Sequence, residues 1–498
     1  MGGIFIFEDV EDLRSLVKIM RPGEKRLLRY LVGRTTNSED KLRLALFDFL
    51  DKHDLKTDAE AKERLNFSST GSAFSHLKRR LKNDILGVFL VKESSKRIAQ
   101  ANRAAQFECL KKLTQAYVLL FRGAKEESSR ILENVRELTV RYELIAERIQ
   151  MQHLLRENFI GVGASVEFAK LNQQIAIDTE AYQALLIVEE KSILLSSPEY
   201  VKTFSKNQQF DEWSQRVGEI HNYYEKYKLG RIGFWYYLVS TEYNAAIRNF
   251  EKVITEGILF LNLVENNLAV KSKNNVAGVN QTLGSAYLET RQYDKAIAHF
   301  SRAGQLFPSA GFNRLQCLQF LVLSEAACEA YDKGMKTILK ALLHPRIDSR
   351  EHLKPRWLFI KSSVEFLQGD VEMSFKTLNS EGYLMRQQDD WNLQFRLLEM
   401  AQLIAMKDEE WLEFKLDATR KFLTRHKNLD SLRTRVSIDV ISNLLRKELD
   451  FSQISEKNRL LLSLCSEEAE GYEWNPMSPE IVRFDKWVLK QIPNQDRE

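Results

Sequence analysis

Residues 276–308 read VAGVNQTLGSAYLETRQYDKAIAHFSRAGQLFP. Internal repetition is the first thing to seek in a long helical chain, and this stretch is its clearest unit. The segment YDKA at 293–296 returns as YDKG at 331–334, a spacing of 38 residues. Within 315–345, Leu321, Ile338 and Ala341 fall near matching places. A third, weaker copy is WLFIKSSVEFLQGDVEMSFKTL at 357–378, with Gly369-Asp370 at its turn.

The 276–308 stretch resembles a tetratricopeptide repeat, a helix–turn–helix unit of about 34 residues. Leu283 and Gly284 stand at the family's Leu-Gly pair, and Tyr287 at the aromatic position of the first helix. Ala296 and Phe300 match the second helix, and Ala303 and Pro308 its closing turn. Asn280 departs from the pattern, where the family usually carries Trp. The resemblance gives each choice a physical reason. Gly284 and Ala296 are small because the two helices approach closely there. Tyr287 and Phe300 fill the space between them, and Pro308 ends the unit because it cannot continue a helix. One such unit cannot bury its own apolar faces, so stacked neighbours are required.

The resemblance implies an all-α, right-handed solenoid of helical hairpins whose first helices line a concave surface, used in this family to bind proteins or peptides. By the family's pattern the groove positions are Gly278, Gln281, Ser285, Leu288 and Glu289 in the clear repeat. In the next unit they are Gln316, Gln319, Leu323, Ala326 and Ala327. The Lys and Asn set with which one branch of the family grips a C-terminal carboxylate is absent.

The rest of the chain suits this reading. Glycine (21) and proline (8) are scarce among 498 residues, which favours long helices with short connections. Helices are expected at about 22–34, 38–53, 57–65 and from Ser72, then at 100–121, 124–138, 140–158, 163–176, 178–194, 208–227 and 233–266, with SKNQQ (205–209) as a loop. Helices at about 431–448, 455–470 and 478–491 are expected to cap the array. The aromatics of 233–250 are expected mainly in the core. The division expected is a basic helical bundle at 1–95, divergent hairpins at 96–270, repeats at 271–430 and capping helices at 431–498.

The net charge of +4 is unevenly spread. Between Arg21 and Arg103 there are 19 Lys or Arg against 11 Asp or Glu. Lys78, Arg79, Arg80 and Lys82 decorate one helix, with Lys92, Lys96 and Arg97 behind it. These are candidate contacts to nucleic acid or to an acidic protein surface. The layout loosely resembles bacterial regulators that join a helix-turn-helix domain to tetratricopeptide repeats, although the second and third helices lack a clean turn glycine.

No phosphate loop, HExxH or paired-histidine spacing occurs, and GVGAS (161–165) lacks a preceding strand. The four cysteines, Cys109, Cys317, Cys328 and Cys465, have no zinc spacing and are expected as buried thiols. No stretch reaches the ~18 apolar residues of a membrane span, and the MGGIFIFEDVEDL start has no basic leader. The sequence therefore points to a cytoplasmic, non-enzymatic adaptor, scaffold or regulator that binds a protein or peptide and needs no cofactor. A DNA-binding regulator and a subunit of a larger assembly are the alternatives. Oligomeric state is left open.

Overall fold

Helices form wherever apolar residues recur at three- and four-residue spacing, and no other regular element is found among the described residues. These are 10–34, 38–53, 57–67, 72–92, 100–157, 159, 165–195, 206–381 and 389–493 of the computed structural model. They contain 23 α-helices and two single 3-10 turns. The chain divides into two compact units after Glu108.

The first unit contains α1 (Val10–Ile19), α2 (Pro22–Gly33), α3 (Ser38–Lys52), α4 (Asp58–Arg64) and α5 (Ala73–Lys92). Phe74, Leu77, Leu81 and Ile85 of α5 share one buried face, as their spacing predicts. On α3 the buried face is Leu46, Phe47 and Leu50, rotated from the expected Leu42, Ala45, Leu46 and Phe49. Helix α1 was not expected, yet Val10, Leu13 and Val17 give it an amphipathic stripe that completes this core. Asp58, at the start of α4, accepts the Val10 backbone N–H at 3.1 Å and pairs with the Lys78 ammonium at 2.6 Å. One carboxylate thereby ties α1, α4 and α5 together.

Helix α6 (Ala101–Phe121) leads into the second unit, which continues with α7 (Lys125–Arg141), α8 (Ile145–Glu157), α9 (Ser165–Leu195) and α10 (Lys206–Tyr227). Two expectations change here. The helices expected at 163–176 and 178–194 are one helix, because Asp178 is no break. It is buried inside α9, where it accepts from Arg148, Gln152 and Gln174. Residues 206–209, expected in a loop, form the first turn of α10.

Five hairpins follow: α11 (Gly230–Ala246) with α12 (Phe250–Asn266), α13 (Lys273–Glu289) with α14 (Tyr293–Leu306), α15 (Phe312–Ala327) with α16 (Tyr331–Leu342), α17 (Leu353–Leu367) with α18 (Val371–Glu381), and α19 (Asp389–Met406) with α20 (Glu409–Arg425). The single helix expected at 233–266 is thus two. Each helix packs on its predecessor and successor, and the first helices of consecutive hairpins also touch, as in α13 with α15 and α17 with α19. This is an all-α solenoid of tetratricopeptide-like hairpins.

The turns within the hairpins repeat one geometry. Arg248, Arg291, Glu329, Gly369 and Lys407 all have φ between 59 and 89°. The next N–H in each case reaches the carbonyl five residues back: Asn249 to Asn244 at 2.8 Å, Gln292 to Tyr287 at 2.8 Å, Ala330 to Glu325 at 2.9 Å, Asp370 to Glu365 at 3.0 Å and Asp408 to Leu403 at 3.0 Å. This is the left-handed cap that satisfies the orphan carbonyls of a helix end. Glu143, in a similar turn before α8, reaches further. Its carboxylate accepts the Gly230 and Arg231 N–H groups at 3.0 and 3.2 Å and the Asn267 amide at 2.8 Å. It caps α11 from 87 residues away.

The clear repeat packs as its residues imply. A Cβ at Gly284 would come within 2.8 Å of the Phe300 ring, so only glycine allows the two helices this approach. Phe300 and Ala296 are buried, and Tyr287 stacks on His299 at 5.3 Å. Asn280, in the family's Trp place, is buried and hydrogen-bonded. Its amide donates to the Val276 carbonyl at 2.7 Å, and its oxygen lies 2.9 Å from His299 Nδ1.

Four of the aromatics of 233–250 are half-buried against the core, while Tyr243 and Phe250 are half-buried outside its clusters. Phe234 and Tyr237 pack on the main core, while Trp235 and Tyr236 join a smaller cluster with Leu185, Val188 and Ile220. The array ends in α21 (Leu432–Arg446), α22 (Glu456–Glu467) and, after an irregular stretch, α23 (Phe484–Gln491).

Candidate functional site

The irregular stretch before α23 contains Trp474, Pro476 and Pro479, in a chain with only 8 prolines. Proline denies it a helix, and it returns along the array instead of extending it. Residues 479–484 lie against Phe359 and Ser363 of α17 and Leu397, Leu398 and Ala401 of α19. Ile481, Phe484 and Val488 belong to the main core.

A chain of ion pairs fixes this return. Arg433 donates to Glu480 at 2.6 Å and to Asp485 at 2.9 Å, and its other nitrogen reaches the carbonyls of Cys465 and Tyr472 at 2.9 and 3.1 Å. Arg483 donates to Asp485 at 2.8 Å and to Glu468 at 2.7 Å. Glu468 also pairs with Arg291, in the turn of the clear repeat. Burial pushes the Glu480 carboxyl above its ordinary range while Arg433 opposes the shift. Arg433 is itself held more firmly protonated by Glu480 and Asp485, against the burial that works the other way. Such a cluster fixes geometry more than it adds stability, because both charges of each pair were desolvated to form it.

Between the returning segment and the array lies a cavity of ≈870 Å³. One wall is the ends of three first helices: Leu323, Ala326 and Ala327 of α15, Phe366 and Leu367 of α17, and Ile404 and Ala405 of α19. The turn residues Glu329, Gly369 and Lys407 form its lip. The facing wall is Trp474, Ile481, Arg483, Lys486, Trp487 and Lys490. Burial, together with the neighbouring Arg483 charge, lowers the Lys486 ammonium below its usual value. Trp487 sits 5.3 Å from the Phe366 ring and 5.9 Å from Phe451, between centroids. Lys490 reaches Glu329 at 3.1 Å across the lip.

The groove residues named from the sequence divide. Leu323, Ala326 and Ala327 line the cavity. Gln281, Ser285 and Glu289 are partly exposed on α13, and Gln316 and Gln319 on α15, away from it. Leu288 is a correction: it is 0% exposed and packed in the main core, so it offers nothing to a ligand. Glu289 faces Arg248 at 3.6 Å, and burial raises its carboxyl despite that neighbour. Reading from the sequence missed the whole far wall. The signal available was the cluster of Trp and Pro between 474 and 487.

The basic set of the first unit is also corrected in part. Lys78 is 6% exposed, paired with Asp58 and 5.7 Å from the Phe74 ring, so it holds the bundle together. Arg80 pairs with Glu39. Arg79 is exposed beside His76 at 3.0 Å, and Lys82 is half-buried. The side chains of Lys92, Lys96 and Arg97 lie outside the described residues. Cys109, Cys317 and Cys465 are buried as expected, and Cys328 is exposed against expectation because it follows the last turn of α15. Burial pushes the Cys109 and Cys317 thiols up to about 12. Among the described residues no helix is long and apolar enough to cross a membrane.

No protein-family model and no curated protein matches the chain. Among solved structures it is similar to a signal transduction ATPase with numerous domains from Pyrococcus horikoshii that carries a tetratricopeptide repeat sensor. That likeness has 14% identity and a TM-score of 0.45, over 90% of this chain and 68% of the other. It is also similar to a Rap protein complexed with competence and sporulation factor, at 16% identity and a TM-score of 0.39, over 70% of this chain and 99% of the other. The repeated hairpins and their shared turn make this chain a tetratricopeptide-like helical-repeat protein, one whose C-terminal segment lies against its own repeats.

Proposed function

We propose that the protein is a non-enzymatic adaptor, scaffold or regulator that binds another protein or a peptide, and that the cavity between the array and its returning segment receives the anchoring side chains. The cavity's ≈870 Å³ carries this reading. Ligand sites usually occupy about 300–1,000 Å³ and combine apolar walls with a few polar groups. The wall is aliphatic and aromatic, and small residues such as Ala326, Ala327 and Gly369 leave it open. Three of the four carboxylates that line it are engaged in structure: Glu480 with Arg433, Glu329 with Lys490, and Asp450 with Ser452. That supports binding over catalysis.

The test is selection of binders from a displayed peptide library on the full chain, followed by calorimetric titration. Filling the cavity with Ala327→Trp should weaken a selected peptide by about tenfold or more while leaving the thermal midpoint in place. Equal affinity for both proteins, or a library that enriches nothing over the filled variant, would overturn the reading.

A further inference from the structure

We infer that a segment anchored in the cavity runs on across α13 and α11, and that a basic side chain of that segment pairs with Glu242. This rests on the binding reading above and names its partner class, an extended cationic peptide segment.

The shared turn puts the first helices of the hairpins in one register. Phe359 and Ser363 stand ten and six residues before the turn residue Gly369, and Leu397 and Ala401 stand likewise before Lys407. Residues four apart share one face of a helix. On α17 and α19 this face is mostly apolar, and residues 479–484 of the chain itself lie against it. Ile481 and Phe484 are buried in the main core, so that stretch is closed to a partner.

The same two positions are Gln319 and Leu323 on α15, Gln281 and Ser285 on α13, and Leu238 and Glu242 on α11. Leu323 borders the cavity. Beyond it the row becomes polar, with Gln281 and Ser285 half-buried and Glu242 exposed. The face is thus apolar where the chain covers itself and polar where it does not. Neighbouring helices stand about 10 Å apart and an extended chain advances about 3.3 Å per residue, so a segment anchored at Leu323 reaches Glu242 about six residues later.

Glu242 is the point on this row that calls for a ligand. Among the described residues it has no ion-pair or hydrogen-bond partner. Its carboxyl is open to solvent, yet enough protein crowds it that burial pushes it above its ordinary range with no cation to oppose the shift. Glu289 on α13 differs, because Arg248 and Arg291 offset its burial. A crowded carboxylate without a counterion gains charge-assisted hydrogen bonds from an incoming lysine or arginine. The Gln281 and Gln319 amides along the same row offer donors and acceptors to an extended backbone.

The test uses the displayed peptide library on the full chain. Selection should enrich Lys or Arg about six residues from the apolar anchor, and selection on Glu242→Lys should lose that preference. A selected peptide should bind Glu242→Gln about tenfold more weakly than the unaltered protein. Glutamate in place of the peptide's basic residue should restore binding to Glu242→Lys. The thermal midpoint of Glu242→Gln should not fall, because the fold makes no use of this carboxylate. Should Glu242→Lys fail to fold, Glu242→Gln carries the test. Selected peptides without a basic preference, or bound equally by the unaltered protein and Glu242→Gln, overturn the inference. Peptides weakened by Ala327→Trp but indifferent to Glu242→Gln leave the cavity reading standing and remove this one. Peptides indifferent to Ala327→Trp remove the cavity anchor, and with it the run-on proposed from it.

Discussion

Asn280 shows how one departure from a repeat pattern is absorbed. A large indole would fill the space between the two helices of the hairpin. Here the smaller amide is buried with His299 and has both ends satisfied. Because the Asn280 amide nitrogen is committed to the Val276 carbonyl, its oxygen faces His299 Nδ1, which must donate and so carries the proton. Burial, and secondly the Arg302 charge, lowers the His299 pKa below its usual value. Its stabilising effect is therefore complete above the unfolded value of about 6.5 and declines as the pH falls through and below it, where the unfolded chain takes up the proton first. His344 and His352 are shifted the same way, also by burial. Urea midpoints should drop between pH 7.5 and 5.5, and by less in His299→Gln than in the unaltered protein. An equal drop in both would show that His299 contributes nothing to it.

At the level of the element, the shared left-handed turn explains how much was legible. Repeat searching relies on glycine at such positions, and of the five hairpins only α17–α18 has one, Gly369. The others place Arg248, Arg291, Glu329 and Lys407 there, at a backbone cost of about 1–2 kcal/mol each. Amphipathic spacing made most helices visible, and Gly284, Ala296 and Phe300 made one hairpin visible in detail. The boundary at Arg248 was lost because neither glycine nor proline marks it. The far wall of the cavity was lost for another reason: the Trp and Pro cluster at 474–487 marks the segment, but its place is set by contacts across 161 and 177 residues, which no local pattern encodes. The turn itself is testable. Nothing lies within 4 Å of a Cβ built at Gly369, so Gly369→Ala carries a backbone cost alone, about 1 kcal/mol. Lys407→Gly should gain about 0.5–1 kcal/mol by relieving the same conformation. Denaturation midpoints with unchanged slopes would measure both.

For the second unit as a whole, the return of the C-terminal segment alters what a solenoid ordinarily does. An open stack of hairpins has only nearest-neighbour couplings, so it melts from its ends and any internal hairpin can open with modest help. Here Glu468 and Lys490 reach back to Arg291 and Glu329, in the turns of the α13–α14 and α15–α16 hairpins. The last residues of the stack are joined to its middle, and the row becomes a loop. A loop has no free end on that side from which to fray. Amide hydrogen exchange should therefore show α13 to α20 opening as one cooperative block, with similar protection in all four hairpins. Loosening the clasp with Trp487→Ala should break that uniformity, giving graded exchange along the row while the interior of α21 stays protected. The clasp thus sets how far a disturbance at one hairpin travels, and a row without it would have a free end.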